Sequence, residues 1–270
     1  MSTVADRRAT FRQLHGSGCF VIPNPWDAGS ARVLAQLGFK AVATTSSGFA
    51  WSMGRPDNGL TLDQALTHFK TIVEAVPIPV SADFEGGFAV EPDGVARNVT
   101  AAVATGIAGV SIEDSTGDPG YPLFDFGLSV ERIRAARHAI DVSGTGVVLS
   151  GRSEGFLVGR PDLEETIRRL IAYAEAGADC LYAPAVRDLH GIRSIVQAVA
   201  PKAVNVLVGS DFTSVGQLAE LGVRRISVGG ALARAAWSGF LEAATEIADH
   251  GTFTRLSKAV SFGDINGRFG

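Results

Sequence analysis

The amino-acid sequence predicts a (β/α)8 barrel, and three observations carry that prediction. Eight short apolar runs alternate with amphipathic segments along the chain, the pattern of a barrel of about 250 residues. Four of these runs follow a glycine (Gly38, Gly106, Gly177 and Gly222) that ends the preceding segment. Glycine at that place takes the left-handed conformation that turns a helix back. The runs are also apolar on consecutive residues, as strands buried on both faces of a parallel sheet are. A doubly wound open sheet is the structural alternative. It is weakened because the segment after the first run, NPWDAGSA, has no glycine-rich dinucleotide fingerprint.

The elements follow in order. Met1 to Ser17 is expected to form an extra helix over the bottom or side of the barrel. The first strand starts at Phe20, and the second follows Gly38 and ends in TTSSG. Leu62 to Val76 is a helix, with Leu62, Ala65, Leu66, Phe69, Ile72, Val73 and Val76 at helical spacing. The third strand, IPVSADF, starts at Ile78, and a helix over Asp93 to Thr105 leads to the fourth, GIAGVSIED, at Gly106. Val130 to Ile140 precedes the strand GVVLSGR at Gly146. The helix Leu163 to Ala176 opens at Pro161-Asp162, a helix-start signal. The strand GADCLYAP, the helix Leu189 to Val199, the strand from Ala203, the helix Ser214 to Leu221 and the strand GVRRISVGG complete the alternation. A helix over Leu232 to Ile247 and a tail over Thr252 to Gly270 close a single domain spanning residues 1–270.

Composition narrows the function. The chain has 270 residues, 46% hydrophobic and 19% charged, as a globular protein with a large core has. The net charge of -4 comes without a basic block, so neither nucleic acid nor an anionic membrane is an expected partner. No long apolar stretch opens the sequence, and its two cysteines, Cys19 and Cys180, read as small buried hydrophobes. A cytoplasmic protein is expected. There is no GxSxG elbow and no HExxH, and the five histidines lie away from the strand ends.

A barrel builds its site where its strands end. Those positions hold Asn24, Trp26 and Asp27; Thr45, Ser46, Ser47 and Gly48; Asp83 and Glu85; Glu113 and Asp114; Arg152 and Glu154; Tyr182 and Pro184; Asn205; and Gly229. The two acidic ends are the most informative. Carboxylates cannot stay unpaired in a core, and oxygens converging from neighbouring strands are what a hard cation such as Mg²⁺ requires. The alternative is that they cap helices or pair with arginine. Ser46, Ser47 and backbone amides suit a carboxylate or an oxyanion, and Arg152 offers a fork for a substrate carboxylate. Arg152 neutralising Glu113 or Glu154, Ser46 and Ser47 capping a helix, Trp26 lying in the core and Asn205 satisfying backbone groups all remain open.

Taken together and in this order, NPWDAGSA, ATTSSGFA, GRPDNGLT, SADFEGG, GVSIEDSTG and LSGRSEGF resemble the isocitrate lyase and phosphoenolpyruvate mutase superfamily. The resemblance runs from about Val21 to Gly230. It implies a barrel whose last helix is exchanged with a neighbouring subunit, hence a homodimer or homotetramer. It also implies Mg²⁺, with Mn²⁺ as the alternative ion, and a small 2-oxo or 2-hydroxy carboxylate cleaved or rearranged through an enolate. By motif, Asp83, Glu85 and Glu113 would hold the metal, with Asp57 as an outer partner. Trp26, Asp27, Ser46, Ser47, Gly48, Arg152 and Asn205 would bind substrate. Asp57, Glu113 and Arg152 would serve the chemistry.

Departures from the family pattern select among its activities. The metal motif is Asp83-Phe84-Glu85 where many members carry two aspartates, and GRSEG stands where relatives often have Ala-Arg-Thr-Asp. The loop STGDPGYPLFDFG contains no Lys, Cys or His. The Lys-and-Cys loop of isocitrate and methylisocitrate lyases is therefore missing, as are the Lys and Asn of the mutases. Asp118, Tyr121 and Asp125 are its only groups able to move protons. The expected function is a Mg²⁺-dependent carbon–carbon lyase or decarboxylase. The alternatives are P–C bond chemistry, mutase or hydrolase, and a non-catalytic barrel that binds 2-oxo acids.

Overall fold

The computed structural model describes residues 2–270. Eight parallel strands form one sheet: β1 (Phe20–Ile22), β2 (Val42–Ala43), β3 (Val80–Asp83), β4 (Gly109–Glu113), β5 (Val148–Arg152), β6 (Cys180–Tyr182), β7 (Ala203–Leu207) and β8 (Arg225–Ser227). The ladder runs from β1 through β8 and down to β2. The Ala43 N–H donates to the Pro23 carbonyl at 3.0 Å across the remaining gap, leaving a nearly closed (β/α)8 barrel. The helices between strands are α2 (Ala28–Gln36), α3 (Ser46–Ser52), α4 (Leu62–Ala75), α5 (Pro92–Ala104), α6 (Phe126–Ser143), α7 (Leu163–Glu175), α8 (Leu189–Ala198) and α9 (Val215–Glu220). No helix among the described residues is long and apolar enough to cross a membrane.

The expected N-terminal helix is α1 (Val4–Leu14), and Met1 lies outside the described residues. It closes the barrel bottom. Arg7 donates to the carbonyls of Val73 and Val76, and Arg8 to those of Ile107 and Val103, at 2.7–3.1 Å. These carbonyls lie at or just past helix ends, where backbone acceptors lack helical partners. Phe11 is fully buried and packs with Phe20, Ile22 and Val148. Gly109 makes room for it, since a Cβ there would stand 2.5 Å from the Phe11 ring.

Two regions differ from expectation. TSSG opens the short helix α3, whose seven residues are too few to display a helical period. The C-terminal helix α10 runs over Ala231–His250, followed by a 3-10 turn at Thr254–Lys258 and a short helix α11 (Phe262–Asn266). The last residues return to the barrel, where Gln36 donates to the Arg268 carbonyl at 2.6 Å.

Two histidines, His68 buried and His15 half-buried, sit where the neutral ring is favoured. His15 places Nδ1 2.7 Å from the Phe11 carbonyl and Nε2 3.3 Å from Arg225 Nη1, so Nδ1–H donates and Nε2 accepts. Burial and Arg225 push it down to about 3. His68 stacks on Phe49 with ring centroids 3.9 Å apart, and burial pushes it down to about 4. The unfolded chain binds these protons near pH 6.5, so the stability from keeping each ring neutral is full above that pH. It is lost as pH falls toward the folded value. His68→Phe removes one such group. Its stability relative to the parent should improve by about 2 kcal/mol between pH 7.5 and pH 5, read by urea unfolding. A constant difference would contradict the assignment.

Candidate active site

Because side chains alternate along each strand, one face of every strand points into the barrel. From bottom to top these positions carry Gly109, Ser111 and Glu113 on β4, and Val148, Ser150 and Arg152 on β5. The top layer therefore carries charge, and below it lies a layer of small hydroxyls. A central cavity of about 160 Å³ is lined by Ser46, Ser47, Asp57, Asp83, Ser111, Arg152 and Asn205 among others, while Glu85 and Glu113 line a neighbouring pocket.

Arg152 organises the top layer. Its Nη1 is 2.6 Å from Asp83 Oδ1, its Nη2 is 3.0 Å from Glu113 Oε2, and its Nε is 2.9 Å from Glu154 Oε1. The guanidinium also lies 5.1 Å from the Tyr182 ring centroid. The carboxylates do not converge on one empty point, as the sequence suggested. Among the described residues no three His, Cys, Asp or Glu side chains form a ready-made metal cage. The arginine draws Asp83, Glu113 and Glu154 to itself because it is the cation within reach. One guanidinium nevertheless does not balance this surface. Burial, then Asp83, pushes Asp57 and Glu85 up, Glu85 to about 7. Burial holds Glu113 and Glu154 up as well, each against the pull of Arg152.

Glu85 stands out in a second way. Its backbone is left-handed, with φ 47°, a conformation that costs a non-glycine residue roughly 1 kcal/mol. Its Oε1 is buried without a hydrogen-bond partner. The turn is held from beneath by Arg132 of α6, which donates to the carbonyls of Gly86, Ala89 and Val90. A buried oxygen without a partner, in a site with excess negative charge, fits a divalent cation. Mg²⁺ keeps several waters and needs only one or two direct carboxylates.

The other expected residues separate into groups. Ser46 donates both its N–H and its hydroxyl to Asp83 Oδ2 at 3.0 Å, so it positions that carboxylate. Ser47 lines the cavity with its hydroxyl 3.1 Å from Thr45 Oγ1. The Gly48 N–H is used by Thr45 Oγ1, and a Cβ at Gly48 would lie 2.7 Å from Thr45 Cγ2 and 3.1 Å from Trp26 Cβ. Gly48 therefore permits close packing, with Trp26 behind it. Asp27 caps α2, accepting from the Ser30 N–H at 2.6 Å. Trp26, Asp27 and Gly48 do not line the cavity. Asp114 does not either: it accepts from Tyr173 Oη at 2.7 Å, Arg169 Nη1 at 3.1 Å and the Glu154 N–H at 2.7 Å. In the loop, Asp118 accepts from the Gly120 N–H, and hydrogen bonding to Asp125 pushes the exposed Tyr121 hydroxyl up. None of Asp118, Tyr121 and Asp125 lines the central cavity.

A family model described as phosphoenolpyruvate phosphomutase matches residues 11–248. The chain belongs to the phosphoenolpyruvate phosphomutase family. Its relatives place it in the wider superfamily that includes isocitrate lyase. A solved structure from Burkholderia cenocepacia J2315, described only by class as a lyase or mutase, is 48% identical. It covers 98% of this chain and 97% of its own, with a TM-score of 0.96. The oxaloacetate decarboxylase of Pseudomonas aeruginosa is 30% identical over 95% of this chain and 92% of its own length. A 2,3-dimethylmalate lyase structure is 27% identical, covering 100% of this chain and 95% of that one, with a TM-score of 0.86.

Proposed function

We propose that this family member is a divalent-metal-dependent carbon–carbon lyase or decarboxylase acting on a small 2-oxo or 2-hydroxy carboxylate. The observation that carries the reading is the charge imbalance at the barrel mouth. Asp83, Glu113 and Glu154 pair with the single guanidinium of Arg152, Asp57 and Glu85 feel it only at longer range, and Glu85 Oε1 has no partner. Asp83, with Glu85 and Glu113 directly or through water, would hold Mg²⁺ or Mn²⁺, and Asp57 would stand behind them. Such an ion supplies Lewis-acid polarisation of a substrate oxygen.

The chain's own groups do the rest. Arg152 has five N–H donors and commits three to Asp83, Glu113 and Glu154. The two that remain would bind the substrate carboxylate. Ser47 and Asn205 line the same cavity and present further donors. In decarboxylation the bond to the departing carboxylate breaks, its electron pair passes into the adjoining carbonyl to give an enolate, and CO₂ leaves. In cleavage of a 2-hydroxy acid the hydroxyl proton would pass to a site carboxylate such as Asp57 as the carbon–carbon bond breaks, so that a carbonyl fragment leaves and the electron pair passes into the adjoining carboxylate. The enolate carbon then takes a proton from water. Decarboxylation requires no general base, which suits a loop without Lys, Cys or His. The decarboxylase and lyase relatives support this class of reaction. The phosphomutase family model keeps P–C bond chemistry as the second reading.

A second copy of the chain is the proposed partner. In the 20-residue helix α10 only Ala233 is buried, while Trp237, Phe240 and Leu241 are 37%, 59% and 55% exposed. Exposed apolar surface of this extent marks an interaction site. A buried Cys180 and a half-buried Cys19, both free, support a cytoplasmic location.

Oxaloacetate, substituted malates and phosphonopyruvate, assayed with Mg²⁺ and after chelation, test the reaction. At least one 2-oxo or 2-hydroxy acid should be cleaved only with metal, and Asp83→Ala should lower kcat/KM on the order of 10³-fold. Turnover unaffected by that substitution would contradict the reading, and turnover of phosphonopyruvate alone would move it to P–C chemistry. In light scattering the parent should be a homodimer or homotetramer and Phe240→Glu smaller. A monomeric parent would overturn the proposed partner.

A further inference from the structure

The lower half of the cavity holds a cation that the reaction described above does not use. Barrel interiors are usually filled by branched apolar side chains. Here Ser81, Ser111 and Ser227 line the cavity at mid-height, and Arg225 lies beneath them. Arg225 is the first residue of β8 and only 5% exposed. Its side chain crosses the barrel. Nε donates to Asn205 Oδ1 on β7 at 2.9 Å, Nη2 donates to Ser150 Oγ on β5 at 2.9 Å, and Nη1 lies 3.3 Å from His15 Nε2.

Every one of these partners is neutral. Among the described residues, no carboxylate lies within ion-pair distance of Arg225. Asp83, Glu113 and Glu154 at the cavity mouth pair with Arg152 in their own layer, not with Arg225. A buried cation without a counter-charge is costly unless something anionic joins it. Three of its five N–H donors are taken by the partners named, so two remain. The floor is therefore cationic and lined by hydroxyls, and it is open to the same cavity as Asp83 and Arg152.

We propose that Arg225 is a specificity-determining residue that binds a second carboxylate, on the substrate end that enters furthest into the barrel. One end of the substrate sits at the mouth beside Arg152, and the other rests on the Arg225 guanidinium. The site then selects small dicarboxylates over monocarboxylates. This rests on the proposed reading of the site as one for 2-oxo or 2-hydroxy acids.

Malate and lactate are suitable probes, because they share a 2-hydroxy acid and differ by one carboxylate. Calorimetric titration in the presence of Mg²⁺ should show malate binding at least about tenfold tighter than lactate. Arg225→Met should erase that preference and leave lactate affinity unchanged, and Arg225→Lys should restore part of it. An unchanged preference in Arg225→Met, or equal weakening of both ligands, would overturn the proposal and leave Arg225 a structural strut. Should Arg225→Met fail to fold, Ser111→Val narrows the cavity above the guanidinium without touching its partners. A full malate preference in a folded Ser111→Val protein would also overturn it. The binding readout needs no turnover. Loss of preference in a protein that turns over no substrate would sink the lyase reading alone, and metal-dependent turnover with an unaltered preference would sink only the role of Arg225.

Discussion

Three carboxylates sharing one guanidinium set the character of this site. Asp83 comes from β3, Glu113 from β4 and Glu154 from just beyond β5, and Arg152 of β5 meets all three within 3.0 Å. Parallel strands in register make this unavoidable, since Glu113 pairs directly with Arg152 across the β4–β5 ladder. The cluster is half compensated. Arginine holds the acids in place, yet Glu85 and Asp57 are left where burial and neighbouring charge favour the protonated form. The proposed reading takes this surplus of negative charge as the place for a divalent cation.

The surrounding structure supports the cluster from behind. Asp114 ties β4 to α7 through Tyr173 and Arg169 and receives the Glu154 N–H, which fixes the carboxylate that steadies Arg152. Arg132, fully buried in α6, clasps the turn that carries Glu85. From below, α1 seals the barrel with Phe11 and His15, and His15 in turn meets Arg225. Buried polar networks of this kind are costly when incomplete, and here they flank the proposed site.

The barrel was legible because its strands and turns announce themselves locally, through unbroken apolar runs and glycines at helix ends. The acidic strand ends and Arg152 were legible for the same reason: charge that interrupts an apolar run must face something. That Arg152 pairs with Glu113 or Glu154 was an alternative the sequence left open, but that it takes both and Asp83 as well was not legible, because ion pairing is decided by register between strands far apart in sequence. Gly48 and Asp27 illustrate the limit in another way. A glycine that permits close packing and an aspartate that caps a helix look, in sequence, like groups awaiting a ligand. Arg225 escaped notice although a signal existed. In the strand Arg225-Ile226-Ser227 the two polar residues alternate around an apolar one, which places both inside the barrel. The helix residues Arg132, Arg169 and Tyr173 gave no sign, since arginines and tyrosines on amphipathic helices ordinarily reach solvent.

On the proposed reading, the mouth of this barrel receives a divalent ion at Asp83, Glu85 and Glu113. Calorimetric titration of the purified protein with Mg²⁺ and with Mn²⁺ near pH 7, in buffers of different ionisation enthalpy, is the test. One ion per chain should bind with release of protons, because Glu85, pushed up to about 7, must give up its proton as the ion arrives. Absence of binding, or binding with no proton release, would contradict the account.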